Sequence, residues 1–184
     1  MDYIVLNLEG NYRNWKMDQI GAARVNEKLD VQDTFHMKLV PEDRELFADA
    51  MEKFRLWCGD CPLVTWGQDD IWMLEHCISE NGLDLDWMPE VFDGQEIFDE
   101  QMSGRRADLR YAMTALGLKP RAVRSALSQS LNMVKVLQNL SFTRGIEAQR
   151  WGGAGFDGPY GGNDSYSLEY SLDEMCDYGY ELAG

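Results

Sequence analysis

Tyr3-Ile4-Val5-Leu6-Asn7-Leu8-Glu9-Gly10 is the stretch whose reading decides the fold of this chain. A nearly continuous apolar run of this length is what a central strand, buried on both faces, requires. It ends in two polar residues two apart, and side chains at that spacing project from the same face of a strand. An apolar strand closing on such a pair is a common way to hold a metal at a sheet edge. Hard divalent cations prefer charged oxygens, so metal binding would favour two carboxylates there. One of the two is the neutral amide of Asn7.

Two more strands follow, over residues 18–25 and, with clear alternation, 34–40. Pro41-Glu42-Asp43 opens a helix, with proline near its first turn. Leu46, Phe47, Ala50, Met51, Phe54 and Trp57 then recur at helical spacing. Residues 62–66 read as a fourth strand and residues 69–80 as a helix carrying Ile71, Leu74 and Ile78. A short apolar stretch at 88–92 precedes Asp93 and a further helix. Residues 107–116 and 120–140 predict two more helices, the second long and unbroken. Three meander strands followed by alternating helices and strands describe an α/β domain with a mixed sheet.

The formal charge is −15, and it is unevenly spread. After Arg150 come seven acids and no Lys or Arg: Asp157, Asp164, Glu169, Asp173, Glu174, Asp177 and Glu181. Proteins that grip a phosphate backbone present basic patches, so this balance weighs against direct nucleic-acid binding. From Trp151 onward the chain is rich in Gly, Tyr and acid. Acidic composition alone would read as a solubilising tail, but five of the eight tyrosines lie here (Tyr160, Tyr166, Tyr170, Tyr178, Tyr180). Disordered segments are poor in aromatics. The segment therefore reads as an adhesive one that docks on this domain or on a partner. The expected organisation is a domain over residues 1–145 and an acidic extension over 146–184.

At 184 residues the chain is long enough to bury a proper core. No apolar run reaches membrane-spanning length, and Met1-Asp2-Tyr3 lacks the basic flank of a secretory signal. Four cysteines (Cys58, Cys61, Cys77, Cys176) suit a reducing compartment, and the expected location is cytoplasmic. Cys58-Gly-Asp-Cys61 lacks a partner pair at zinc-finger spacing and reads as a tight helix-to-strand turn. Asp69 is expected to cap the helix after the fourth strand, and Asp93 the helix that follows it. Trp57, Trp66 and Trp72 are expected to pack in the core. Trp15, in the polar loop 11–16, is expected to be exposed and to contact a partner.

Three segments, taken together and in order, resemble the DEDDh (DnaQ-like) family of 3′–5′ exonucleases. The first is Tyr3-Ile-Val-Leu-Asn-Leu-Glu9 followed by Gln19-Ile-Gly-Ala-Ala-Arg-Val25, where such proteins carry an acid-x-acid strand and a second strand resembling "IGAV". The second is Leu63-Val-Thr-Trp-Gly-Gln-Asp-Asp70, similar to the family's "WGxxD" segment. The third is Arg124-Ser-Ala-Leu-Ser-Gln-Ser-Leu-Asn-Met-Val-Lys-Val-Leu137, similar to its last-helix motif. The resemblance covers roughly residues 3–142 and implies an RNase H-like fold: a mixed five-stranded sheet flanked by helices, here with an acidic C-terminal extension.

It also implies a site. In that family four carboxylates hold two divalent cations that activate water, and a histidine serves as general base. Residue by residue, the acids fall on Asn7, Glu9, Asp70 and Gln129, and the histidine on Arg124. Only Glu9 and Asp70 keep a carboxylate, which leaves at most a weak single-metal site. A guanidinium cannot accept a proton. The resemblance thus implies a pseudo-exonuclease that works by binding a protein partner or nucleoprotein complex and needs no cofactor. Its acidity would let it mimic nucleic acid, or inhibit, in the basic groove of a nucleic-acid-binding protein. The alternative is an active Mg²⁺- or Mn²⁺-dependent 3′–5′ exonuclease on single-stranded RNA or DNA with a rebuilt site. A subunit of a larger assembly is the third reading.

Overall fold

The computed structural model describes residues 1–40, 43–103, 106–121 and 125–151. Five strands, β1 (Tyr3–Asn11), β2 (Lys16–Val25), β3 (Val31–Lys38), β4 (Leu63–Thr65) and β5 (Val91–Asp93), form one sheet in the order β3-β2-β1-β4-β5. The first three are antiparallel neighbours, whereas β1, β4 and β5 run parallel. The helices are α1 (Arg44–Cys58), α2 (Asp69–Glu80), α3 (Gly94–Phe98), α4 (Leu109–Ala115), α5 (Ala126–Leu137) and α6 (Phe142–Trp151). A π-helical stretch, Asp99–Ser103, continues α3.

The central strand sorts its side chains by parity. Ile4, Leu6 and Leu8 enter a core shared with α1 and α2 through Phe47, Phe54, Ile71 and Leu74. Tyr3 and Val5 enter a second core with Met133, Leu137, Phe142 and Ile146 of α5 and α6. Fully burying an aliphatic side chain is worth about 1.5–3 kcal/mol. That gain on both faces is what makes an unbroken apolar run into the middle of the sheet. The same alternation assigns Asn7 and Glu9 to the α5 face.

Glycine decides two close approaches. Gly10 sits at a register shift after Glu9, where a Cβ would stand 2.2 Å from the Lys16 carbonyl oxygen. The hairpin then closes through Trp15, in the left-handed region at φ 52°. Gly21 pairs with Asn7 across the β1–β2 ladder, and a Cβ there would lie 1.9 Å from the Leu127 amide nitrogen. The first turn of α5 therefore rests directly on the sheet beside Asn7. Ser130 fixes it by donating its hydroxyl to the Val5 carbonyl at 2.7 Å.

The expected strands and α2 are present, with shifts at their ends. The third strand begins at Val31 rather than Thr34. The helix expected over 120–140 is shorter: Ser125 is extended (φ −158°, ψ 158°) and closes a capping box with Ser128, so α5 starts at Ala126 and ends at Leu137. A separate helix, α6, then runs across residues 145 and 146, where the sequence reading divides domain from extension. The Cys58–Cys61 stretch is the tight turn expected between α1 and β4, with Cys61 N–H donating to the Cys58 carbonyl at 3.3 Å. Asp43 caps α1. Pro41 and Glu42, expected to open that helix, lie outside the described residues, as do Arg124 and the five tyrosines of the extension.

Candidate functional site

Because β1 and β4 are parallel, their carboxyl ends lie side by side. Asn7 and Glu9 come to that edge on β1. Asp70 comes from the loop after β4, as the second residue of α2. Open α/β sheets place their ligand sites outside the carboxyl ends of parallel strands. The cap of α2 is Gln68 rather than Asp69, which takes the first helical position instead.

Asp70 is 4% exposed and both its oxygens are engaged. Tyr12, beyond the bulge in the β1–β2 hairpin, donates its hydroxyl to Oδ1 at 2.7 Å. The Asn7 amide nitrogen donates to Oδ2 at 3.2 Å. Burial pushes the Asp70 carboxyl up to about 7, against the opposing hydrogen bonds from Tyr12, the Leu8 backbone and Asn7. Burial also raises Tyr12, and the charges of Asp70, Asp69 and Glu9 push it the same way. Tyr12 nonetheless keeps 40% of its surface exposed. It behaves as a strap, wet on the outside and bonded on the inside.

The orientation of Asn7 follows from the carboxylate. With its nitrogen turned to Asp70, its carbonyl oxygen is buried without a partner among the described residues. Turning the amide over would set that oxygen against an Asp70 oxygen, which is acceptable only if Asp70 carries a proton. Glu9 is half-buried on the same face, opposite Gln19 in the ladder. Gln129, half-buried on α5, accepts from the Asn132 amide of its own helix at 3.3 Å.

The structure thus joins Asn7, Asp70 and Tyr12 directly and keeps Glu9 beside them. A dication at Asp70 would have to displace the Tyr12 hydroxyl and the Asn7 amide, and it would meet a neutral carbonyl where the family pattern has a carboxylate. Among the described residues no three His, Cys, Asp or Glu side chains assemble as metal ligands. The two-metal donor set therefore does not fit the residues present.

Tyr12 is the site residue that sequence reasoning missed. Trp15, expected to be exposed, is half-buried: its ring tilts against His76 at 5.3 Å, and its carbonyl accepts the Cys77 thiol at 3.0 Å. Trp57 and Trp66 are half-buried at the margins of the cores, and Trp72 is half-buried. Asp93 caps α3 as expected, accepting from the Gln95 and Glu96 amides.

Next to Gln68 opens a shallow depression of about 690 Å³ along β5. Glu90, Asp93, Glu96, Asp99 and Glu100 line it, against Arg106 and Arg150. Arg150 is paired with Glu90 at 2.7 Å. Burial, followed by the charges of Asp93, Glu100 and Asp99, raises the Glu96 carboxyl.

No family model and no curated protein matches the sequence. Solved structures do match in fold. Exonuclease I superposes with a TM-score of 0.60 at 10% identity, covering 80% of this chain and 43% of that one. Escherichia coli exonuclease I in complex with a 5cy-dT13 oligonucleotide gives 0.60 at 11%, covering 79% and 41%. An exonuclease I complex with SSB-Ct gives 0.55 at 10%, covering 81% and 43%. The chain spans less than half the length of these proteins. It has their exonuclease-type, RNase H-like fold. Among the described residues no helix is long and apolar enough to cross a membrane.

Proposed function

We propose that this domain keeps an exonuclease fold for binding rather than for cutting, and that its partner is a protein or a nucleoprotein complex. The observation that carries this reading is the closed state of Asp70, whose two oxygens are satisfied by Tyr12 and Asn7. A metal-dependent nuclease needs that carboxylate ionised and turned to a cation. Here burial favours the neutral acid, a phenol covers it, and the amide at position 7 supplies no charge. The acidic depression beside Gln68 supports a cationic protein surface over a phosphate backbone, since five acids line it against two arginines. The net charge of −15 acts in the same direction. The domain then occupies a basic groove as an acidic mimic or inhibitor, with the tail tyrosines Tyr160, Tyr166, Tyr170, Tyr178 and Tyr180 adding contact.

Purified full-length protein incubated with labelled single-stranded RNA and DNA in Mg²⁺ or Mn²⁺ tests this. The expected result is intact substrate. Degradation that disappears in Glu9→Ala or Asp70→Ala would establish the alternative, an active 3′–5′ exonuclease with a rebuilt site.

A further inference from the structure

At the amino end of β4, away from the Asp70 edge, α1 turns into the sheet through Cys58-Gly59-Asp60-Cys61. The Cys61 N–H donates to the Cys58 carbonyl at 3.3 Å, so the two cysteines open and close a hydrogen-bonded turn. The ends of such a turn lie within about 7 Å, and disulfides join α-carbons about 4.4–6.8 Å apart. Gly59, at φ 57°, carries the reversal, and both it and Asp60 are exposed. The turn is open to small molecules.

Both thiols are free, and they differ in access. Cys58 is fully buried in the α1-side core, whereas Cys61 is half-buried at its margin. A cation stands over the pair. Arg24 of β2 donates from Nη1 to the Cys61 sulfur at 3.6 Å and from Nη2 to the Trp57 carbonyl. Its guanidinium lies 5.2 Å from the centre of the Trp57 ring, which holds it in place. Its charge also bears on Cys58, opposing the burial that pushes that thiol up to about 12. Reactive cysteines are partly exposed and face a cation, and a Cys-x-x-Cys spacing brings a second sulfur within reach.

We infer that Cys61 and Cys58 form a peroxide-sensitive dithiol, in which Cys61, held by Arg24, meets the oxidant and Cys58 resolves it. The Cys61 thiolate attacks one oxygen of hydrogen peroxide: an S–O bond forms, the O–O bond breaks, and the departing hydroxide takes up the thiol proton as water. The Cys58 sulfur then attacks the sulfenic sulfur of Cys61. An S–S bond forms, the S–O bond breaks, and a second water carries off the Cys58 proton. Two electrons pass from the two sulfurs to the peroxide. Burial holds Cys58 as the thiol, so the second step is the slower and the sulfenic acid accumulates before the disulfide. The pair stands at the opposite end of β4 from Asp70, and its chemistry does not depend on whether the cleft cuts.

Hydrogen peroxide added to the full-length chain, with dimedone trapping and peptide mass spectrometry, decides it. Dimedone should label Cys61 first, and the label should give way to a Cys58–Cys61 disulfide that dithiothreitol reverses. Arg24→Gln should slow Cys61 oxidation at least about fivefold. Cys77, whose buried thiol donates to the Trp15 carbonyl, should keep its native reactivity and so report an intact fold. Cys58→Ala should leave the dimedone label on Cys61 without a disulfide, which reads the pair even where Arg24→Gln unfolds. Oxidation of Cys61 no faster than that of Cys77 overturns the inference. So does an unchanged rate in folded Arg24→Gln, or a Cys61 disulfide to any other cysteine.

Discussion

Asp70 and Asp93 both sit at the carboxyl-end edge of the sheet, Asp93 as the last residue of β5 and Asp70 in the first turn of the helix after β4, and both carboxyls are pushed up by burial. They are held by different things. Asp93 accepts from three backbone amides, Gly67 at 2.9 Å, Gln95 at 2.8 Å and Glu96 at 3.2 Å, so the fold itself grips it. Asp70 is gripped chiefly by two side chains that other residues could replace. Position relative to the sheet therefore does not assign a role. An acid tied by backbone is a cap, whereas an acid tied by exchangeable side chains is, in the function proposed above, a closed site.

The largest expected effect is on the Asp93 side. Asp93→Ala removes a helix cap and leaves the Gly67 amide without its acceptor, at a cost of about 3 kcal/mol. Urea unfolding measures it. Asp70→Asn should behave otherwise. The asparagine can accept from Tyr12 while a turned-over Asn7 accepts from its amide, so at pH 8 stability should be unchanged or higher. A loss at Asp70 matching that at Asp93 would erase the distinction between cap and closed site.

The next effect is one of pH. Asp70 has a folded value of about 7, above the usual carboxylate range, so its protonated form stabilises the folded state. That contribution is complete below about pH 4, the unfolded value, and is lost as pH rises through 7. Between pH 5 and 8 the native protein should lose about 2 kcal/mol relative to Asp70→Asn. Parallel stability profiles for the two proteins would mean that Asp70 does not titrate in this window.

Much of this contrast was legible in the sequence, and the illegible part has physical causes. An apolar run located β1, alternation β3 and helical spacing α2, and the family resemblance grouped Asn7, Glu9 and Asp70. The start of α5 was hidden because Ser125 offers the backbone a cap that competes with helix continuation. Helix α6 was hidden because Phe142 and Ile146 are thin apolar signals until Tyr3 and Phe92 are in place to receive them. Tyr12 had no signal at all. Its hydroxyl reaches Asp70 only through a bulge at Gly10 and a left-handed Trp15, and neither can be inferred from composition.

Reopening the site is the third comparison. Asn7→Asp, Arg124→His and Gln129→Asp together return the charges that the family pattern carries at those positions. Added to them, Tyr12→Phe frees Oδ1 of Asp70. The fourfold variant should bind Mn²⁺ at least about tenfold more tightly than the native chain, roughly 1.4 kcal/mol, by calorimetric titration. No gain would mean that these residues do not share one site.

Tyr12→Phe alone is the smallest and the most diagnostic change. A hydrogen bond to a buried carboxylate contributes more than a neutral one, but this ring is 40% exposed and water can reach the vacated place. The expected loss is about 1 kcal/mol at pH 8, read by urea unfolding. The loss should shrink below pH 5, where Asp70 is protonated and the phenol bonds a neutral acid. Without its hydroxyl donor the carboxyl should also move further up, which carbon-detected titration of the Asp70 side chain would follow directly. Asp93→Asn changes nothing at Tyr12, so the two perturbations should add. If they do not, the acids at the ends of β4 and β5 are one coupled site, and the cap belongs to the cleft after all.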